Sequence, residues 1–285
     1  MDAPPPQEDC RPFVDIARLL RAAGVNAPEV FAQDLDRGFL LLSDLGNQTY
    51  LSALDAASAP RLYADANAAL IRMQAAAPVA TLPCYDRALL QRELDLYPDW
   101  YVGRHKSLAL SDAARTAWRA GCDVVLANNL AQPIVFVHRD YHSRNLMIVD
   151  GANPGVLDFQ DAVAGPITYD LVSLYKDAYI QWDESFVLDQ VARYWSDAKR
   201  AGLPVDTDFA AFYRDFEWMG VQRQLKVLGI FARLFHRDGK AAYLDDMPRV
   251  LAGVTAACAR YRELAPLARV VDEVEPVVAN TGYTF

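Results

Sequence analysis

Residues 133–161 read PIVFVHRDYHSRNLMIVDGANPGVLDFQD, and this segment is the most informative about the fold class. Three short runs of apolar and β-branched residues in it predict strands, at 133–137, 145–149 and 155–157. The pair Asp150-Gly151 favours a turn, so the second and third strands should form a hairpin. Residues 138–145 then form a loop that a strand anchors at each end, and Asp158 returns beside that loop.

Three oxygen-bearing side chains should therefore converge at the strand ends: Asp140, Asn145 and Asp158. Mg²⁺ prefers oxygen ligands and keeps several waters, so one amide, one carboxylate and nucleotide phosphates can hold it. Asn145 and Asp158 are the candidate metal ligands. The other carboxylate, Asp140, can orient an acceptor hydroxyl and take its proton. The pattern indicates phosphoryl transfer.

A zinc site is an alternative interpretation of the same loop. His138, Asp140 and His142 alternate, so on an extended chain they would face one side and could chelate zinc. That interpretation leaves Asn145 and Asp158 without a role.

The sequence outside this stretch is mostly helical in pattern. Helical periodicity or helix signals cover residues 11–23, 48–76, 85–97, 111–130 and most of 166–265. Gly24, Pro60 and Ser111 are placed to end or begin helices. Residues 38–42 predict a buried strand, and the pattern breaks at 43–47. We predict an α+β fold.

Composition excludes several classes of protein. The 285 residues carry 28 Lys and Arg against 37 Asp and Glu, a net charge of −9, which argues against nucleic-acid binding. No apolar run is long enough for a membrane helix, and the first residues lack the pattern of a signal peptide. We predict a cytoplasmic protein. Its four cysteines lack the spacing of a metal or redox pair, so we expect mostly buried, reduced thiols.

The pattern His138-x-Asp140-x-His142-x-x-Asn145, followed by Asp158-Phe, resembles the superfamily of aminoglycoside phosphotransferases and choline kinases. The resemblance implies a protein-kinase-like, bilobal fold, ATP and Mg²⁺ as cofactors, and a small-molecule acceptor. It implies domains at 1–46, the N-terminal lobe and hinge, and at 47–285, the helical lobe with the catalytic β insert at 133–158.

The resemblance also assigns supporting roles. It implies that His138 braces the loop backbone and that His142 contacts a phosphate or supports the loop. Downstream, Tyr169-Asp170-Leu171 fits the same superfamily. We expect Asp170 to accept backbone hydrogen bonds that hold the catalytic loop, residues 138–145.

The nucleotide side carries one departure from the family pattern. Residues 39–46, FLLLSDLG, resemble the last strand of the N-terminal lobe running into the adenine-contacting hinge, with Ser43, Asp44 and Leu45 as contacts. The 42 residues before Ser43 contain no Gly-rich loop and no lysine, and the first lysine is Lys106. We therefore expect a short, truncated N-terminal lobe.

Three further segments carry a closer resemblance: 1–5 (MDAPP), 92–100 (RELDLYPDW) and 222–233 (QRQLKVLGIFAR). They are similar to bacterial kinases that phosphorylate N-acetylmuramate and N-acetylglucosamine at C1 in cell-wall recycling. The implied acceptor pocket comprises Glu93, Trp100, Asp177, Arg223 and Lys226, with Trp100 expected in a loop. The alternatives are a kinase for an aminoglycoside or amino alcohol, and an inactive, truncated binding module.

Overall fold

Helices dominate the fold, and its short strands pair two by two. A computed structural model of the chain describes residues 1–5 and 8–276. Its α-helices are α1 (Arg11–Ala22), α2 (Tyr50–Ala53), α3 (Ala59–Ala76), α4 (Arg87–Leu94), α5 (Asp112–Ala131), α6 (Tyr169–Tyr175), α7 (Glu184–Arg200), α8 (Phe209–Asp238), α9 (Met247–Arg260) and α10 (Ala265–Val274). Its strands are β1 (Val30–Asp34), β2 (Phe39–Leu42), β3 (Ile134–Val137), β4 (Leu146–Met147), β5 (Gly155–Val156) and β6 (Val163–Pro166).

Local signals set several helix ends as predicted. Gly24 lies at φ +75° just after α1, in the left-handed region that glycine adopts without a Cβ penalty. Pro60 lies in the first turn of α3, where its missing N–H costs no helical hydrogen bond. The Ser111 hydroxyl accepts a hydrogen bond from the Ala114 N–H at 3.1 Å and caps α5.

The N-terminal strands form an antiparallel hairpin. β1 pairs with β2, and the Met1 segment lies along β2 as well, because the Leu40 N–H donates to the Met1 carbonyl at 3.1 Å. The predicted strand at 38–42 is confirmed, but its predicted burial is wrong. Leu40 is 4% exposed, whereas Phe39 and Leu41 are 49% and 62% exposed. A hairpin covered on one face buries alternate residues only.

The strands around the catalytic loop belong to two separate pairs. β4 and β5 form the predicted antiparallel hairpin. β3 instead pairs with β6, a strand that the sequence analysis missed. Gly165 in β6 masks the strand pattern, yet a Cβ there would lie 2.9 Å from the Cβ of Tyr85, so glycine is required for close packing.

The described chain divides into two compact units. Unit 1 comprises Met1–Asp86 and Ala131–Phe216, and unit 2 comprises Arg87–Leu130 and the described residues from Glu217 onward. The lobe boundary predicted at residue 46 falls inside unit 1 and stays a prediction, and the end of the predicted domain 47–285 extends beyond the described residues.

Two structural expectations outside the catalytic region have different outcomes. Trp100 was expected in a loop, but it lies in a π-helix, Tyr97–His105, that follows α4. The cysteines are free thiols, with Cys10, Cys122 and Cys258 buried and Cys84 exposed, as predicted. Among the residues that the structure describes, no helix is long and apolar enough to cross a membrane.

Candidate active site

The structure brings together the three residues predicted for phosphoryl transfer. Asp140 lies in the loop between β3 and β4, and Asn145 lies at the end of that loop. The amide nitrogen of Asn145 donates to the Asp140 carbonyl at 3.0 Å and to the carboxylate of Asp158 at 3.1 Å. A single amide therefore joins the backbone of the candidate base to the candidate metal ligand.

Asp158 is held in a conformation that its backbone disfavours. Its φ is +63°, a region that costs a residue with a Cβ about 1 kcal/mol or more. Besides Asn145, the Gln160 amide holds its carboxylate, by a hydrogen bond of 2.9 Å. The sequence analysis missed Gln160, although its position two residues after Asp158 on an extended chain was a usable signal.

The Asn145 and Asp158 pair fits Mg²⁺ in its chemistry. With the amide nitrogen of Asn145 engaged, its side-chain oxygen is the atom that can bind a cation beside the exposed carboxylate of Asp158. Within residues 1–5 and 8–276, no three His, Cys, Asp or Glu side chains form a metal-holding group. Two oxygen donors suit an ion that completes its shell with phosphates and waters.

His138 has a bracing role, as predicted. It is fully buried, its Nε2–H donates to the Leu157 carbonyl at 3.0 Å, and its Nδ1 accepts from the Asp140 N–H at 3.2 Å. Burial lowers its pKa to about 4, so the ring is neutral near pH 7. Both ring nitrogens already have partners, so His138 offers no lone pair to zinc, and the zinc interpretation is not supported.

Asp170 fastens the start of the catalytic loop. This fully buried carboxylate accepts the His138 N–H at 2.7 Å and the Arg139 N–H at 3.0 Å. Arg139 lies at φ +77°, so its conformation depends on being held. The predicted architectural role of Asp170 is confirmed by these two bonds.

Asp177 and His142 lie at the other end of the loop. Asp177 is 6% exposed and accepts the Ser143 N–H at 3.0 Å and the Tyr179 N–H at 2.9 Å. The His142 ring packs edge-on against the Tyr179 ring, with centroids 5.5 Å apart. The predicted roles of Asp177 at the acceptor and His142 at the phosphates stay predictions.

The candidate hinge, Ser43 to Leu45, contacts the hairpin of β4 and β5. The Ser43 hydroxyl accepts the Glu29 N–H at 2.8 Å, and Asp44 accepts the Gly46 N–H at 2.8 Å. Leu45 packs on β5, where a Cβ on Gly155 would lie 3.0 Å from its methyl carbon. The Leu45 contact places the hinge beside the hairpin, and the nucleotide contacts of Ser43, Asp44 and Leu45 stay predictions.

The remaining acceptor residues lie in unit 2. Glu93 and Lys226 form an ion pair at 2.8 Å, and the Gln222 amide donates to the same carboxylate at 3.2 Å. Both charged residues are 6% exposed, as is Arg223, whereas Trp100 is half-buried. The structure therefore pairs Glu93 with Lys226 in a buried network, and losing one partner would strand a buried charge. Their acceptor role stays a prediction.

Asp140 is a half-buried carboxylate on a loop that Asp170 and Asp177 hold by hydrogen bonds, and it lies next to the oxygen pair of Asn145 and Asp158. This arrangement is typical of a kinase-like phosphotransferase. Comparison with known proteins agrees. Residues 1–203 match the family described as "Phosphotransferase enzyme family". The chain belongs to this family and is a small-molecule kinase.

Two bacterial relatives are similar over nearly the whole chain. The N-acetylmuramate/N-acetylglucosamine kinase of Pseudomonas putida is 52% identical over 96% of this chain and 81% of its own length. The protein of that name from Pseudomonas aeruginosa is 54% identical, over 94% and 79%. A solved structure of an ADP-bound aminoglycoside phosphotransferase shares the fold, with TM-score 0.55, 15% identity, and coverage of 87% of this chain and 82% of that one. The predicted kinase-like fold is confirmed.

Proposed function

We propose that this chain transfers the γ-phosphate of ATP to the anomeric hydroxyl of N-acetylmuramate and N-acetylglucosamine, as a step of peptidoglycan recycling. The observation that carries the proposal is the identity of 52% and 54% to two kinases named for these sugars, over 96% and 94% of this chain. Because the reaction consumes ATP, we place it in the cytoplasm.

The residues of the catalytic loop divide the work of the transfer. The Asp140 carboxylate accepts a hydrogen bond from the attacking hydroxyl and takes its proton as the new phosphate ester forms. It needs no covalent bond to the sugar, because phosphoryl transfer depends on alignment and on charge stabilisation. The fastening of the loop at Asp170 supports this role, since a base must be held close to its position to be effective.

We assign the nucleotide to the side of the catalytic loop that carries Asn145 and Asp158. Asn145 and Asp158 would hold Mg²⁺. When bound, this ion screens the phosphate charges and stabilises the negative charge of the ADP leaving group. His142 would contact the phosphates, and Ser43, Asp44 and Leu45 would contact the adenine. The ADP-bound relative in fold supports nucleotide use, and the oxygen pair of Asn145 and Asp158 supports the metal assignment.

The acceptor assignment rests on chemistry that distinguishes the candidate substrates. Arg223 and Lys226 add positive charge to α8, which suits the lactyl carboxylate of N-acetylmuramate and opposes a polycationic aminoglycoside. We assign the lactyl carboxylate to these two cations of the predicted acceptor pocket.

The test measures ADP release with Mg-ATP and each of five acceptors: the two amino sugars, the methyl glycoside of N-acetylglucosamine, kanamycin and choline. We expect both free sugars to be phosphorylated and the methyl glycoside, which lacks a free anomeric hydroxyl, to be inert. Phosphorylation of the methyl glycoside would move the reaction to another hydroxyl. Turnover of kanamycin or choline alone would favour the other small-molecule kinases.

A matched variant ties the activity to the loop. Asp140→Asn keeps the shape but removes the proton acceptor, so kcat should fall about 10²–10⁴-fold. The KM values for sugar and ATP should change little, because the carboxylate acts mainly in the transition state. Turnover close to that of the parent protein would remove Asp140 from this role.

A further inference from the structure

A short segment after α6 contacts three consecutive residues of the catalytic loop. The Ser143 N–H donates to Oδ2 of Asp177 at 3.0 Å, and the Tyr179 N–H donates to Oδ1 at 2.9 Å. Asp177 is 6% exposed, so water competes little for these bonds. A buried carboxylate with a backbone N–H on each oxygen fixes the distance between the two chain segments that supply the donors.

The Tyr179 ring holds the residues on either side of Ser143. The His142 ring meets it edge-on, with centroids 5.5 Å apart, and the Arg144 guanidinium lies over its face at 3.7 Å from the centroid. A cation over an aromatic face and an edge-on ring pair are both favourable arrangements. Residues 142, 143 and 144 therefore all contact the segment 177–179.

We propose that Asp177 is a positioning residue of the transfer reaction, which with the Tyr179 ring sets the placement of Asp140 and His142. Asp170 holds the backbone of residues 138 and 139, and Asp177 holds that of Ser143, so the two carboxylates fasten the loop on both sides of Asp140. This inference rests on the proposed phosphoryl transfer, and it gives Asp177 a task other than binding the acceptor.

The kinetic test uses Asp177→Asn, which replaces one accepting oxygen by an NH₂ group that cannot accept a backbone N–H. We expect kcat per folded molecule to fall about 10–100-fold, the scale of effect for a base displaced by up to about 1 Å, with both KM values within about twofold of the parent. A raised sugar KM with unchanged kcat would show an acceptor contact and overturn the inference. A lowered melting temperature with unchanged kcat per folded molecule would show a merely structural role and overturn it as well.

Two variants at Tyr179 separate the ring from the hydroxyl. Tyr179→Phe keeps the aromatic face and should retain a higher kcat than Tyr179→Leu, which removes the face and should lower kcat several-fold. The control is Asp189→Asn, an exposed carboxylate of α7 paired with Arg193, which should match the parent. Equal kcat for the Leu and Phe variants would overturn the part assigned to the ring.

Amide hydrogen exchange tests the fastening without relying on any substrate. In Asp177→Asn, exchange in the loop peptide that contains Ser143 should accelerate about tenfold or more, while exchange in β3 stays as in the parent. Unchanged exchange in that peptide would overturn the inference even if the parent phosphorylates the amino sugars. If exchange accelerates in Asp177→Asn but the parent protein phosphorylates neither sugar, the result would support the fastening and refute the proposed substrates.

Discussion

Replacing Asp170 should lower both the free energy of unfolding and kcat, because this carboxylate holds the start of the catalytic loop. The buried carboxylate accepts two backbone N–H groups of the catalytic loop, at 2.7 and 3.0 Å. In Asp170→Ala both donors lose their partner, at about 1–3 kcal/mol each, or about 2–6 kcal/mol in total. A domain is typically stable by about 5–15 kcal/mol, so this variant should unfold far more easily.

Asp170→Asn is the milder perturbation and reports on catalysis. One oxygen still accepts, but the NH₂ group faces the second N–H, so we expect a loss of about 1–3 kcal/mol in the free energy of unfolding. Arg139, at φ +77°, should then relax towards an ordinary conformation and displace its neighbour Asp140. We expect kcat to fall about 10–100-fold.

The assay combines urea unfolding with initial rates on N-acetylglucosamine and Mg-ATP, measured on the same preparations. The exposed Asp189→Asn serves again as the control and should match the parent in both measurements. An Asp170→Asn protein with parental stability and with kcat within twofold of the parent would refute the reasoning that these two bonds hold the loop.

Three further predictions use other measurements. Asp158→Ala should abolish the Mg²⁺ dependence of nucleotide affinity in calorimetric titration, whereas its exposed neighbour Asp161→Ala should keep it; equal behaviour would exclude Asp158 as a metal ligand. Because burial lowers the pKa of His138 to about 4, the unfolded chain binds a proton there between pH 6.5 and 4 that the folded chain does not. The free energy of unfolding should therefore fall by about 3 kcal/mol as the pH falls from 6.5 to 4. His138→Gln should lack this fall when unfolding is followed by urea titration at each pH, and identical pH dependence of the two proteins would contradict the prediction. The exposed Cys84 should react first with a thiol reagent, whereas burial raises the pKa of Cys122 to about 12 and delays its reaction until unfolding; a fast phase that survives in Cys84→Ser would contradict this.

The parts of the fold that were predictable depend on local chemistry. The cap at Ser111, the turn at Gly24 and the first turn at Pro60 each use atoms within a few residues, and all three lie where the sequence indicates. The catalytic loop was predictable for a related reason. Its residues lie between two strand signals, and the spacing of Asp140, Asn145 and Asp158 already predicts that they converge at the strand ends.

The parts that were not predictable depend on contacts between distant segments. β6 was hidden because Gly165 weakens its pattern, and only its packing against Tyr85 explains that glycine. The exposure of Phe39 and Leu41 follows from which face of a two-stranded hairpin is covered, and the strand's own residues do not specify this.

The same distinction divides the site residues into those whose role can be predicted from the sequence and those whose role depends on tertiary contacts. A side chain such as Asp140 shows its chemistry by type and spacing, so its candidate role could be assigned from the sequence. Asp177 and Glu93 carry the same functional group, but their partners lie 34 and 133 residues away along the chain, at Ser143 and Lys226. No local pattern encodes such a partner, because a carboxylate's environment is created only when the chain folds and removes it from water.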